Sequence, residues 1–450
     1  MSRIALDVRL DGYDAPIGKL ERKTSGGIDF TYSVEYLQAT NAIPLSLALR
    51  LTDEPYGEVA ARAFFSNLLQ ERDQPLQEVM ERHAIESTDI VGLLYYLGAD
   101  CAGAMSVLPE GSPPAKVPGN LETDYDTLTL ENFEAIVRSL HERIPLPNHM
   151  RDPSPLAGVQ SKISILMLPD GQVALPKTGT GAPTTHILKV PDRRHHSDPG
   201  RESLALQLSA LCGISTVLPA QFDIADIPVL ITPRFDRYFK TKNEITRLHQ
   251  EDFAQALSLP PSLKYERRGV PGRSFNAKSI GTLLRETAKP DISSLTMLEL
   301  TLFDLLVGNV DGHAKNHALL YSQGTRPELS PRYDILPTRL DDSLSEELSY
   351  SIGTATVLHE IDQIQFSKFL SDIGFTGPAA QKRLTEAALG QIVPVLADQL
   401  DPLSQMKQKS FADLIAANMR ELLPKLGYPV PKQAQDRSAH VVRGGGWLTS

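Results

Sequence analysis

The chain has 450 residues, is 41% hydrophobic and carries a formal net charge of -10. Such a length and apolar content support a large core and two or three domains, and the acidic balance argues against nucleic-acid binding through the overall field of the chain. Only Cys101 and Cys212 are present, far apart and without metal-ligand neighbours, so neither a disulfide framework nor a zinc site is indicated.

The first residues, MSRIALDVRLDG, lack an apolar signal core, and no run approaches the roughly 18 apolar residues of a membrane span. A cytoplasmic protein is expected, with no membrane partner. Ile4, Leu6, Val8 and Leu10 alternate with polar residues up to the turn pair Asp11-Gly12, which predicts an opening strand. Ile28, Phe30 and Tyr32 repeat that period. Helical spacing follows at Tyr56 to Leu69 and Leu76 to His83. The stretch PEGSPPAKVPGN, Pro109 to Asn120, supports neither helix nor central strand and reads as a boundary. Thr129 can then cap a helix through Leu140.

From Leu156 to Leu175 two β-rich runs flank Pro169-Asp170-Gly171-Gln172, which predicts a hairpin. A strand over His186 to Val190 and a helix over Glu202 to Leu211 follow. After about Asp236 the apolar spacing is mostly three and four, so the remainder is expected to be helical. The end, HVVRGGGWLTS, reads as a flexible tail.

One segment breaks its apolar surroundings: GNVDGHAKNHALL, Gly308 to Leu320. Asp311 and Asn316 stand five apart, and Asp334 follows a strand-like HALLY. Phosphoryl transfer needs a carboxylate to orient the accepting hydroxyl, hard oxygen ligands for Mg²⁺ and a cation on the nucleotide phosphates. Asp311, the pair Asn316 and Asp334, and Lys189 on its strand meet those needs in turn. Glu202 can pair with Lys189 or serve as a first-turn acid on its helix. The Asp-x-x-x-x-Asn spacing equals that of the protein-kinase catalytic loop, although HRD, DFG and a glycine-rich GxGxxG are all missing.

Together with GKLERKTSGGIDFTYSVEYL, LAGVQSKISIL, PTTHILK, RFDR and QEDFAQALSLPPSLKYE, the segments DGHAKNHAL and YDIL make the chain resemble the HipA-like serine/threonine kinases. Members of that family act as toxins of bacterial type II toxin-antitoxin pairs. The resemblance runs nearly end to end. It implies an α+β, two-lobed protein-kinase-like (HipA-like) fold with ATP and Mg²⁺ held between the lobes. By that resemblance Asp311 is the catalytic base, Asn316 and Asp334 are the Mg²⁺ ligands, and Lys189 is the phosphate lysine. The phosphate loop becomes Ala157, Gly158, Val159, Gln160, Ser161 and Lys162. Pro233, Arg234 and Phe235 fall at the adenine hinge, and His313, Ala314, Lys315 and Tyr333 join the nucleotide contacts. QEDFAQALSLPPSLKYE corresponds to the activation-loop region. Two positions depart from the family pattern. Pro155 stands where the loop serine is autophosphorylated, leaving Ser154 as the candidate, and Pro233 replaces the usual hinge Glu.

The expected organisation is an N-terminal α/β subdomain over 1–110, a nucleotide-binding lobe over 111–235, a helical catalytic lobe over 236–430 and a tail over 431–450. The resemblance further implies a HipB-like helix-turn-helix antitoxin as partner, operator DNA reached mainly through it, and an aminoacyl-tRNA synthetase as phosphorylated target. A weakly active scaffold or co-repressor is the alternative. A small-molecule phosphotransferase of the aminoglycoside-kinase sort is a third reading, disfavoured by LPPSLKYE.

Overall fold

The alternating N-terminal run folds as Ile4–Leu10, flanked antiparallel by Gly18–Arg22 and Met105–Pro109, with Ile28–Tyr32 beyond. The computed structural model describes residues 3–69, 74–146, 161–193, 195–322, 324–437, 440–442 and 446–448. Its inward side chains, Leu6, Val8, Leu20 and Phe30, are sealed beneath Phe64 and Phe65 of helix Glu58–Ser66 and Leu93 and Leu94 of helix Ile90–Leu97. Burying each such side chain contributes about 1.5–3 kcal/mol.

The second sheet has six strands, in the order Ala220–Ile224, Ile227–Pro233, His186–Lys189, Lys162–Met167, Val173–Pro176 and Tyr125–Thr127, every neighbour antiparallel. Its hairpin turn closes as read: Leu168 N donates to Gln172 O over 2.8 Å, and Gly171 supplies the positive φ of 85°. One face is apolar. Ile163, Ile165, Leu188, Val229 and Ile231 pack with Phe133, Ile136, Val137 and Leu140 of helix Leu130–Glu142, which Thr129 caps through Asn132 N at 3.2 Å.

The stretch after Asp236 departs from the helical expectation. It forms the short strands Arg237–Phe239, Glu244–Arg247 and His249–Asp252, the last paired with Ala318–Tyr321. Strands Glu244–Arg247 and His249–Asp252 alternate more and less buried positions, but beside Ile245 their buried positions hold Arg247, His249 and Glu251, and the buried residue of Arg237–Phe239 is Arg237. A hydrophobic pattern therefore could not reveal them. Gly119–Asn120, inside the expected boundary loop, pairs with Glu244–Arg247.

Helices Ala277–Glu286, Pro290–Val307, Gln363–Asp372, Pro378–Gln405 and Lys409–Lys425 follow. Helix Pro290–Val307 packs on the two long helices after it. Leu298, Leu302, Phe303 and Leu306 are sealed, as are Leu389, Ile392, Phe411 and Ile415. Within the expected tail lie helix Lys432–Gln435 and an antiparallel pair, His440–Val442 with Gly446–Leu448. Two compact units result: Met1–Gly200 with Pro219–Pro261 and Ala318–Pro327, and Arg201–Leu218 with Ser262–His317 and Glu328–Ser450. Among the described residues no helix is long and apolar enough to cross a membrane.

Candidate active site

In the second unit, the site begins where helix Pro290–Val307 must stop. Gly308 takes φ +78° and returns its N–H to Asp304 O, and an added Cβ there would lie 2.6 Å from Leu414 Cδ2. The chain then turns through a lattice of side-chain bonds. Asn309 Nδ2 donates to Asp304 Oδ1 (2.9 Å) and its Oδ1 accepts from Asp311 N (3.1 Å). Asn316 Nδ2 donates to Asp311 O (2.8 Å), and Asn316 N to His313 O (2.8 Å). The Asp-x-x-x-x-Asn spacing is thus a closed loop in which each end holds the other.

Buried Arg332 pins that loop from behind. Its guanidinium donates to Asp304 Oδ2 at 2.9 Å and to Asn316 O at 2.6 Å. Two residues later comes Asp334, with φ +57°, a left-handed backbone that Asp tolerates better than most residues. Asp311 and Asp334 are close enough for each charge to act on the other. Burial pushes the Asp311 carboxyl above its ordinary value, Tyr265 opposes this by donating a hydrogen bond, and Asp334 raises it again. His313 is buried, and burial with nearby Lys264 holds its imidazole well below the ordinary range, so it is neutral near pH 7. Its Nδ1 has no hydrogen-bond partner among the described residues. Lys315 is also buried, and its carbonyl accepts from Tyr333 Oη at 2.8 Å.

The donor set suits Mg²⁺. With Asn316 Nδ2 committed to Asp311 O, its Oδ1 is the atom left to offer, and the Asp334 carboxylate is the other candidate oxygen donor. Mg²⁺ takes few protein oxygens and fills its octahedron with waters and phosphates. A divalent cation would also offset the repulsion between two carboxylates.

In the first unit, the six-stranded sheet brings Lys162 directly opposite Lys189, and Lys189 opposite Leu230. Side chains of opposed residues share a face, with Cβ atoms about 5 Å apart. Ser164 and Thr232 fall on that same face, through Ile187 between them. Both lysines are buried, and neither Ser164 Oγ nor Thr232 Oγ1 has a partner among the described residues. So this face mixes polar groups with Ile187, Leu230 and Leu166, while its reverse is apolar core. Sequence reasoning named Lys162 and Lys189 as candidates but not the two hydroxyls, because their shared face follows from strand register alone.

The other predicted residues divide. Ser161 is buried and its carbonyl accepts from Val190 N (2.9 Å), while Ala157, Gly158, Val159, Gln160, Ser154 and Pro155 lie outside the described residues. Arg234 donates its N–H to Thr185 O, and its guanidinium lies in a buried ion network. There Arg234 meets Asp236 (3.2 Å), Arg237 meets Asp100 (2.7 Å) and Arg247 meets Asp11 (2.6 Å). Burial would raise the Asp100 carboxyl, but the three guanidinium groups outweigh it and hold it at about 2. Glu202 is buried on helix Asp198–Leu211, beyond its first turn, where Asp198 is the residue placed to meet the helix dipole.

The HipA-like C-terminal domain family matches residues 154–396, and the HipA N-terminal domain family residues 6–108. A Sinorhizobium fredii protein provisionally described as a kinase, Y4mE, is 33% identical over 411 residues, covering 90% of this chain and 95% of its own. The serine/threonine-protein kinase toxin HipA of Shewanella oneidensis is 25% identical, over 83% of this chain and 86% of its own. In fold, the chain matches a Shewanella oneidensis structure of HipA, HipB and operator DNA with a TM-score of 0.76, covering 94% of this chain and 98% of that one at 22% identity.

Proposed function

This chain belongs to the HipA-like family of serine/threonine-protein kinase toxins, and on that premise we propose that it transfers the γ-phosphoryl of ATP, with Mg²⁺, to a serine or threonine of a protein. One observation carries the reading: a half-buried carboxylate, Asp311, locked in a loop with Asn316 and within electrostatic reach of Asp334. Asp311 would orient the acceptor hydroxyl and take its proton. Asn316 and Asp334 would hold the cation, which neutralises charge on the phosphates. Lys162 and Lys189 would supply positive charge for the α and β phosphates, and His313 Nδ1, without a hydrogen-bond partner among the described residues, fits a nucleotide oxygen as a donor. Catalysis is then positioning and charge compensation rather than covalent chemistry.

The acceptor we propose is an aminoacyl-tRNA synthetase, whose phosphorylation halts translation and favours dormancy. The partner is a HipB-like antitoxin that carries the operator contacts and with which the chain co-represses its operon. Family membership supports both, and the solved Shewanella oneidensis assembly contains HipA, HipB and operator DNA. Self-inactivation, if retained, would use Ser154, because Pro155 has no hydroxyl.

A second reading, a weakly active scaffold, draws on the hinge: Pro233 has no N–H to donate and Arg234 is committed elsewhere. Incubating the protein with labelled ATP, Mg²⁺ and a host lysate separates the readings. Label on a protein band, lost in Asp311→Ala while calorimetric MgATP binding persists, is the expected result. Label on small molecules alone identifies a metabolite kinase, and no label supports the scaffold.

A further inference from the structure

Asp311 has a neighbour outside the parts that phosphoryl transfer requires. Tyr265 Oη donates to Asp311 Oδ1 over 2.5 Å. The tyrosine sits on a short segment fastened at several points within the second unit. Lys264 O accepts from Ala314 N (3.0 Å), Glu266 N donates to Ser349 O (2.9 Å), and the Glu266 carboxylate accepts from Ser351 N (2.5 Å). Ser349 Oγ in turn donates to Val310 O (2.6 Å), next to Asp311. The ring is held as well. His313 meets it edge-on with centroids 5.0 Å apart, and the Arg267 guanidinium lies 4.0 Å from its centroid.

We propose that Tyr265 is a positioning residue for Asp311: its hydroxyl fixes one carboxylate oxygen, so that the other is presented to the incoming acceptor hydroxyl. This rests on the phosphotransfer reading and adds to it a residue that does not touch the reacting atoms. Three features favour positioning over the two other roles a tyrosine has there. A self-inhibitory plug needs a segment free to leave, and this one is bonded to residues 314, 349 and 351. An acceptor must swing its oxygen toward the γ-phosphorus, whereas this ring is packed by His313 and Arg267. And a carboxylate near a second one needs a donor to hold a single orientation, which the bond from Tyr265 supplies.

Tyr265→Phe tests this by removing one oxygen and leaving both ring contacts in place. Transfer of labelled phosphoryl to the protein acceptor should fall in kcat by about tenfold or more, the effect of losing one charge-assisted hydrogen bond, with KM for MgATP unchanged. A merely structural role would instead lower the melting temperature and move kcat and KM together. Arg267→Ala, at an exposed position, loosens the ring without touching Oη and should lower kcat in the same direction, by less. Unchanged or higher kcat in Tyr265→Phe overturns the inference, as does phosphate mapped to Tyr265 in the wild type. Wild-type transfer with an unaffected variant sinks this inference alone; a wild type that transfers nothing sinks the phosphotransfer reading and this inference with it.

Discussion

Replacing Arg332 by Met tests whether the catalytic loop is held from behind. Arg332 is 3% exposed, and its guanidinium joins Asp304 at 2.9 Å to the Asn316 carbonyl at 2.6 Å. Removing one member of a buried ion pair costs about 3–5 kcal/mol, mostly because the other charge stays behind. Burial already pushes the Asp304 carboxyl upward, against Arg332, so Asp304 can take a proton once its partner is gone. That escape places the expected loss near the lower end, about 3 kcal/mol. Urea unfolding followed by far-UV circular dichroism measures it, and kcat should drop as well because Asn316 loses its anchor. Adding Asp304→Asn removes the stranded charge and should restore part of the stability. A loss under about 1 kcal/mol, or a double variant no more stable than the single one, would refute the reasoning.

Glu251 is sealed in the first unit, where burial pushes its carboxyl up to about 7 although Ser46, Tyr321 and the Leu47 N–H all donate to it. Because the folded value lies above the unfolded one, near 4.5, the protonated form favours folding, and stability falls as pH rises from about 4.5 through 7. The loss is on the order of 3 kcal/mol, and Glu251→Gln should flatten the pH dependence of the urea midpoint; an equally steep variant would contradict this. Asp334→Ala should weaken nucleotide binding by about tenfold or more when Mg²⁺ is present and little when it is chelated, as read by calorimetry under both conditions.

What could be read in the chain beforehand was local. The strand Ile4–Leu10, the Gly171 turn and the Thr129 cap each declare themselves within a few residues, through alternation, a positive φ or one side-chain bond. The loop from Asp311 to Asn316 was equally legible, since its spacing is its geometry. Features assembled from distant residues were not. Asp11 and Arg247 are 236 positions apart and Tyr265 is 46 from Asp311. No spacing rule announces such pairs. The strands between Arg237 and Asp252 were hidden for a different reason: apart from Ile245, their buried positions carry charged and imidazole side chains whose partners, such as Asp100, Asp11 and Tyr321, come from distant or neighbouring segments, so alternation of polarity vanished.

The pairing of Lys162 with Lys189 lies at one end of its hairpin, and the Gly171 turn at the other. Five strand residues separate them, roughly 17 Å at 3.3 Å per residue. Around Gly171 there is open space for added atoms. A reporter peptide spliced into that turn would leave the cation spacing intact, giving an insertion point for following nucleotide occupancy by fluorescence in a chain that still works.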